Sequence, residues 1–283
     1  MILPMRPDFS GKVAVVTGAA GVLCAEFCRA LAACGAKVAI LNRTLSRAES
    51  LAEEIRSAGG EALAVGVDVT DEESVRAAHK TVLTTYGRCD ILINGAGGND
   101  PAATVDDEFF SPITLHDPEK KSFFDLTGNA FSKVFSLNIM GTLLPTQAFA
   151  RDMVEKEHGC IINISSMNAF TPLTKIPAYS AAKSGVSNFT QWLAVHFATT
   201  GIRCNAIAPG FYSTAQNAKL LWNDDNTPTA RTGKILNATP MGRFGRPEEL
   251  IGALLFLCDD ACSGFITGVV LPVDGGFNAY SGV

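Results

Sequence analysis

No apolar run in this 283-residue chain approaches the roughly 20 residues that a membrane-crossing helix needs, which argues against a span. The opening stretch "MILPMRPDFSGK" lacks the basic start, apolar middle and small-residue cleavage site of a secretory signal, so it reads as a short tail and points to the cytoplasm. Eight cysteines are present but no C-x-x-C pair, and most lie inside apolar helix or strand patterns; reduced, buried thiols fit better than disulfides. No His stands near the i,i+4 pairs Cys24/Cys28 and Cys258/Cys262 in sequence to complete a tetrahedral set, so no metal site is expected. Nor is there an excess of positive charge. A net charge of −5 argues against a general nucleic-acid or anionic-membrane surface and leaves a small molecule as the default partner.

What the chain does have is rhythm. Hydrophobic residues make up 47% of it and charged residues 18%, a soluble globular balance. Short β-branched runs, "KVAVVT", "KVAIL", "ALAVGVDV", "DILING", "GCIINIS", "IRCNAIAP" and "GVVLPVDGG", alternate with helical patterns near 22–34, 45–58, 72–86, 128–157, 180–200 and 247–259. Nearly continuous apolar strands between amphipathic helices predict an α/β fold, a doubly wound parallel sheet of about seven strands, Rossmann-like. No linker or internal repeat divides the chain, so residues 1–283 read as one domain. Two polar stretches, 98–127 and 211–246, leave from the carboxyl ends of strands, where an open parallel sheet places its ligand; they are the expected substrate walls.

After the first strand, Thr17 and Gly18 open a turn, and the helix starting near Gly21 would aim unpaired N–H groups at an anion. A purely structural turn would look much the same. Further along come "INGAGG" with Asn94, Ala96 and Gly97, "SLN" with Asn138, "IINISS" with Ser165 and Ser166, "AYSAAK" with Tyr179 and Lys183, and "APGFYST" with Pro209, Gly210 and Thr214. Tyr179 and Lys183 stand i,i+4, so a helix puts phenol and ammonium on one face, where the cation would favour phenolate.

In this ordered set the chain resembles the short-chain dehydrogenase/reductase family over nearly its full length. The T-G turn, the N-A-G segment, the helix Asn, a Ser thirteen residues before the Tyr, Y-x-x-x-K and a P-G followed by Thr occur in order. The resemblance implies hydride exchange with NAD or NADP. Tyr179 would be the acid/base, Ser166 would polarise the substrate oxygen, Lys183 would also bind the nicotinamide ribose, and Asn138 would position a water on the proton path. It implies dinucleotide contacts from Thr17, Gly18, Gly21, Val22 and Leu23 at the turn, Asp68 and Val69 at the adenine, Asn94, Ala96 and Gly97, and Pro209, Gly210 and Thr214 at the carboxamide.

Two positions depart from the pattern, because Val22 and Cys24 occupy places where the family carries glycine. A working but reshaped phosphate cradle is expected. The second strand ends in Asn42 and Arg43 rather than an acidic residue, which leaves NADP open beside NAD, although the turn lacks the second basic residue of many NADP-using relatives.

Stretches such as "DILINGAGGN", "SSMNAFTPLTKIPAYSAAK" and "PVDGGFNAYSGV" resemble the D-mannonate oxidoreductase (fructuronate reductase) branch of hexuronate catabolism. That likeness implies a sugar-acid substrate, whose carboxylate needs a cation: Lys175 first, Arg231 second, with Asn99 and Asn168 as hydroxyl partners. Other readings are a short-chain carbonyl reductase for a different sugar acid or polyol, and a non-catalytic dinucleotide-binding regulator. A homo-oligomer, with a tetramer favoured, is also implied.

Overall fold

A computed structural model of the chain describes residues 7–213, 221–223, 225 and 227–282. Its strands are β1 (Val13–Thr17), β2 (Lys37–Asn42), β3 (Glu61–Gly66), β4 (Ile91–Asn94), β5 (Gly159–Ile164), β6 (Ile202–Pro209) and β7 (Val270–Val273), paired as one seven-stranded sheet in the order β3-β2-β1-β4-β5-β6-β7. Every pairing is parallel. The sequence dictates this directly: β1, β4, β5 and β6 are buried along their whole length, as strands covered on both faces must be.

Helices α1 (Val22–Ala33), α2 (Leu45–Ser57), α3 (Glu72–Tyr86), α4 (Gly128–Phe135), α5 (Gly141–Glu155) and α6 (Pro177–His196) follow, with α7 (Ala230–Asn237), α8 (Ile251–Cys258) and the short α9 (Asp260–Ser263) toward the end. On one face of the sheet Phe27 and Leu31 of α1 pack with Ile40, Ile93, Ile162 and Leu254; on the other Phe149 and Met153 of α5 pack with Leu92, Ile161 and Leu193. Burying a side chain of this size stabilises by roughly 1.5–3 kcal/mol. No helix of the described residues is long and apolar enough to cross a membrane, and no group of three or more His, Cys, Asp or Glu side chains among them forms a metal site.

Three features differ from the sequence reading. The 128–157 helix is broken by a π-helical turn at Ser136–Met140. Asn138 Nδ2 donates to Val134 O at 2.8 Å, competing for a carbonyl of the helical ladder and widening the turn there. Helix α6 begins at Pro177 rather than 180, since proline is preorganised for the first helical position, and this brings Tyr179 into its first turn. Inside the polar stretch 211–246 lies α7, capped by the Thr229 hydroxyl accepting from Thr232 N at 3.3 Å.

The far edge of the sheet is tied by Asp260. Its carboxylate accepts from Arg203 Nη2 of β6 at 2.7 Å, His158 Nε2 at 2.9 Å and Lys12 Nζ at 3.2 Å. Partial burial alone would raise this carboxyl, but the hydrogen bonds from Arg203 and His158 and the charge of Lys12 outweigh it and hold the group at about 2. A carboxyl lowered by folding stabilises above its unfolded value, near 3.9, and loses that contribution as pH falls toward 2. Asp260→Asn is therefore expected to lower the melting temperature at pH 7 by several degrees, with the gap to the parent shrinking as pH is lowered. An equal gap at every pH would contradict this.

Candidate active site

A cavity of about 960 Å³ opens at the carboxyl edge of the sheet above the neighbouring strands β1 and β4, the switch point of the strand order. The β1–α1 turn forms its floor. Gly18 adopts φ +60°, and a Cβ there would come within 2.8 Å of Ala96 Cα, so position 18 requires glycine for both conformation and space. The Thr17 hydroxyl accepts from the N–H groups of Gly95 and Ala96 at 3.1 and 3.2 Å, which locks the turn to the loop after β4. Gly21 is the N-cap of α1, in extended conformation with no side-chain cap. The first helical backbone bond described at this end runs from Ala25 N to Gly21 O at 2.8 Å, so the N–H groups of Val22, Leu23 and Cys24 precede it, and all three residues line the cavity. The helix start thus presents unpaired N–H groups to the cavity, the arrangement that suits an anion, with the cap at Gly21, one place earlier than the family's glycine spacing.

At the β2 side the wall holds Asn42, Arg43, Thr44 and Arg47, with Asp68 and Val69 from the end of β3. Asn42 Nδ2 donates to Thr44 O at 3.0 Å, and Arg47 Nη2 donates to Ala20 O at 3.0 Å, bracing α2 against the glycine turn. Asp68 accepts from the Thr70 hydroxyl at 2.7 Å and from Thr70 N at 2.9 Å, and these bonds, with Arg43 nearby, keep its carboxyl below the ordinary range. The sequence reading missed Arg47. It lies four residues past Arg43, in the first turn of α2, and only the packing of α2 shows that it lines the same space.

At the opposite end Ser166, Tyr179 and Lys183 come together. Ser166 follows β5; its hydroxyl accepts from Asn168 N at 3.3 Å and stands beside the Tyr179 phenol. Ser165 instead bonds the Ser187 hydroxyl at 2.7 Å and Lys183 O at 3.3 Å, so its hydroxyl is engaged by α6. Lys183 Nζ donates to Ile164 O at 2.7 Å and lies 5.7 Å from the centre of the Tyr179 ring. Spacing alone predicts that this ammonium pulls the phenol toward ionisation. In the structure burial acts on both groups. It raises the Tyr179 phenol above its ordinary value, against the opposing influence of the neighbouring Ser166 hydroxyl, and it brings the Lys183 ammonium down to about 8.

Several residues expected to face a ligand are engaged elsewhere. Asn94 is buried and donates to Thr146 Oγ1 at 2.9 Å and to Asn163 Oδ1 at 2.8 Å, so it ties β4 to β5 and α5 and does not line the cavity. Asn138 is fully buried; its side chain donates to Gly98 O at 2.8 Å and accepts from Gly98 N at 3.2 Å, clasping the loop that carries Ala96 and Gly97. Lys175 donates to Asp106 O and stays outside the cavity lining, as do Arg231 and the buried Asn168. Asn99 does line it, and so do Pro209, Gly210 and Lys133 of α4. Thr214 lies outside the described residues. The two long stretches meet where Lys234 of α7 pairs with Glu108 at 2.7 Å, and the first also touches the loop before α6, Val105 N donating to Lys175 O at 3.0 Å.

Comparison with known proteins agrees with this architecture. The family model for short chain dehydrogenases matches residues 12–225. An uncharacterized oxidoreductase of Bacillus subtilis, UxuB, is 51% identical over 282 residues, covering all of both chains. A crystal structure from Haemophilus influenzae with bound NAD, provisionally described as a D-mannonate oxidoreductase, is 54% identical with a TM-score of 0.94 over 98% of each chain. A gluconate 5-dehydrogenase of Burkholderia cenocepacia, solved with NADP and tartrate, is 30% identical with a TM-score of 0.81, over 98% of this chain and 99% of that one. With the parallel sheet, the glycine turn and the Ser-Tyr-Lys cluster in the same cavity, these matches place the chain in the short-chain dehydrogenase family of NAD(P)-dependent oxidoreductases.

Proposed function

We propose that the protein interconverts D-mannonate and D-fructuronate with NAD(P), using Tyr179 as the proton donor and acceptor. The observation that carries the chemistry is the convergence of Ser166, Tyr179 and Lys183 at one end of a cavity whose other end is the α1 turn. The residues present fit a dinucleotide: uncapped helix N–H groups for a pyrophosphate, the Asn42–Arg47 wall for a ribose, and a buried ammonium beside the phenol. When bound, the nicotinamide supplies or takes up the hydride. Ser166 hydrogen-bonds the carbonyl oxygen of the substrate and Tyr179 gives it a proton, while Lys183 holds positive charge next to both. Burial keeps the phenol protonated near neutral pH, the form that reduction of a ketone requires.

The substrate assignment rests on the sequence likeness and on the provisional description of the H. influenzae protein. Lys133, the cation on the cavity wall outside the adenosine end and the Ser-Tyr-Lys cluster, offers the charge a hexonate carboxylate needs. Steady-state rates across hexuronates, hexonates and polyols, with NADH and NADPH side by side, test the reading. D-fructuronate is expected to exceed every other carbonyl by at least tenfold in kcat/KM; a better polyol or a different sugar acid would replace it with the second reading, a carbonyl reductase of other specificity. A non-catalytic regulator is disfavoured because Ser, Tyr and Lys are all retained.

Arg43 and Arg47 extend the reading to the coenzyme. No carboxylate stands at the end of β2 to repel a 2′-phosphate, and two guanidinium groups face that end of the cavity. Losing a charge-assisted hydrogen bond costs about 1.5–3 kcal/mol, or roughly tenfold to a hundredfold in affinity. The double variant Arg43→Ser/Arg47→Ser is therefore expected to lose at least tenfold more kcat/KM with NADPH than with NADH. Equal losses would show that these arginines are solvated surface charges.

A further inference from the structure

Gly95, the first residue after β4, has no unusual backbone angle, so conformation does not call for glycine there. Space does. A Cβ at position 95 would collide with the Sγ of Cys24 and stand 2.8 Å from Thr17 O. Cys24 belongs to the first turn of α1, is 5% exposed, and lies on the cavity wall between the glycine turn and the loop that continues to Gly97. The Gly95 N–H, held by the Thr17 hydroxyl at 3.1 Å, fixes the backbone on the other side of the contact. The thiol thus fills the volume that a side chain at 95 would take.

We infer that Cys24 and Gly95 are a size-matched pair that seats α1 against the end of β4, making Cys24 a positioning residue for the dinucleotide cradle. The inference rests on the proposed dinucleotide site and goes beyond it by accounting for a side chain where the family's spacing has glycine. Helix and strand ends approach most closely when neither carries a side chain; here one side keeps its side chain and the other has none. The thiol acts through its bulk. It is buried, and burial pushes its ionisation up to about 12, so it stays neutral beside Lys183. What it sets is the distance between the N–H groups of Val22 and Leu23 and the Ala96–Gly97 backbone across the crevice.

The test is a double-mutant cycle with Gly95→Ala, Cys24→Ala and the two combined, reading dinucleotide dissociation constants by fluorescence titration, melting temperatures, and KM against kcat. Gly95→Ala is expected to weaken binding at least tenfold and to lower the melting temperature. Cys24→Ala is expected to raise the dinucleotide KM several-fold more than it lowers kcat, because the helix start shifts while the Ser-Tyr-Lys cluster stays. In the combined variant the collision with Sγ is gone, while the 2.8 Å approach to the Thr17 backbone oxygen, itself too close for a Cβ, remains, so recovery relative to Gly95→Ala should be partial, at least fivefold in binding and a few degrees in melting temperature. If Gly95→Ala fails to fold, recovery of a folded, binding protein in the combined variant is the expected result. Additive losses, or a combined variant no better than Gly95→Ala alone, would overturn the pairing. A parent protein that bound neither NAD nor NADP would defeat the proposed function instead, and the melting-temperature cycle would still decide whether the two residues are matched.

Discussion

Replacing Tyr179 by Phe is expected to cut turnover about 10³-fold, within the range that a positioned acid/base contributes, and to leave dinucleotide binding within about threefold of the parent. The split follows from the geometry. The phenol hydroxyl stands beside Ser166, while the ring packs against the small cluster that includes Val134 and Ala178 and stands beside Lys183; Phe keeps the ring contacts and removes only the hydroxyl. Parallel measurement of single-turnover hydride transfer and of coenzyme fluorescence separates the two. Comparable losses in both would mean that residue 179 shapes the pocket rather than serving the chemistry.

The second large effect belongs to the adjacent serines. Ser166→Ala is expected to lower kcat by about 10²-fold, the usual cost of removing one donor from a developing oxyanion. Ser165→Ala should lower kcat no more than about threefold and act mainly on stability, because its hydroxyl is engaged by Ser187 and the Lys183 carbonyl of α6. The contrast is informative since the two hydroxyls are neighbours in sequence on the same strand end, where alternate side chains point to opposite faces. A larger kinetic loss at 165 than at 166 would reverse the assignment of the substrate-facing serine.

Much of this was legible in sequence for identifiable reasons. Strands buried on both faces leave unbroken apolar runs, so β1, β5 and β6 stood out, and the 72–86 pattern became α3, whose ends the structure fixes at Asp71, accepting from Glu73 N, and at left-handed Gly87. The order of the motifs marked the family. Side-chain direction was not legible. Asn94 sits at a strand end beside a crevice, yet its Nδ2 donates to Thr146 and Asn163, a choice that depends on which way the pleat points. Arg47 was invisible because its relation to the β2 end is set by how α2 packs. Helix α7 was hidden in a stretch too short and polar to show periodicity. The electrostatics of the Tyr179 and Lys183 pair also ran against the spacing argument, since i,i+4 proximity says nothing about how deeply the pair is buried.

The proposed function comes down to one chemical event, a hydride passing between a nicotinamide ring and a sugar-acid carbon beside Tyr179. Incubating the protein with D-fructuronate and coenzyme deuterated at the transferring position, then weighing the product, follows that event directly. The parent protein is expected to give D-mannonate carrying one deuterium, and Tyr179→Phe at least a hundredfold less of it. Unlabelled product, or label transferred equally well without the phenol, would contradict it.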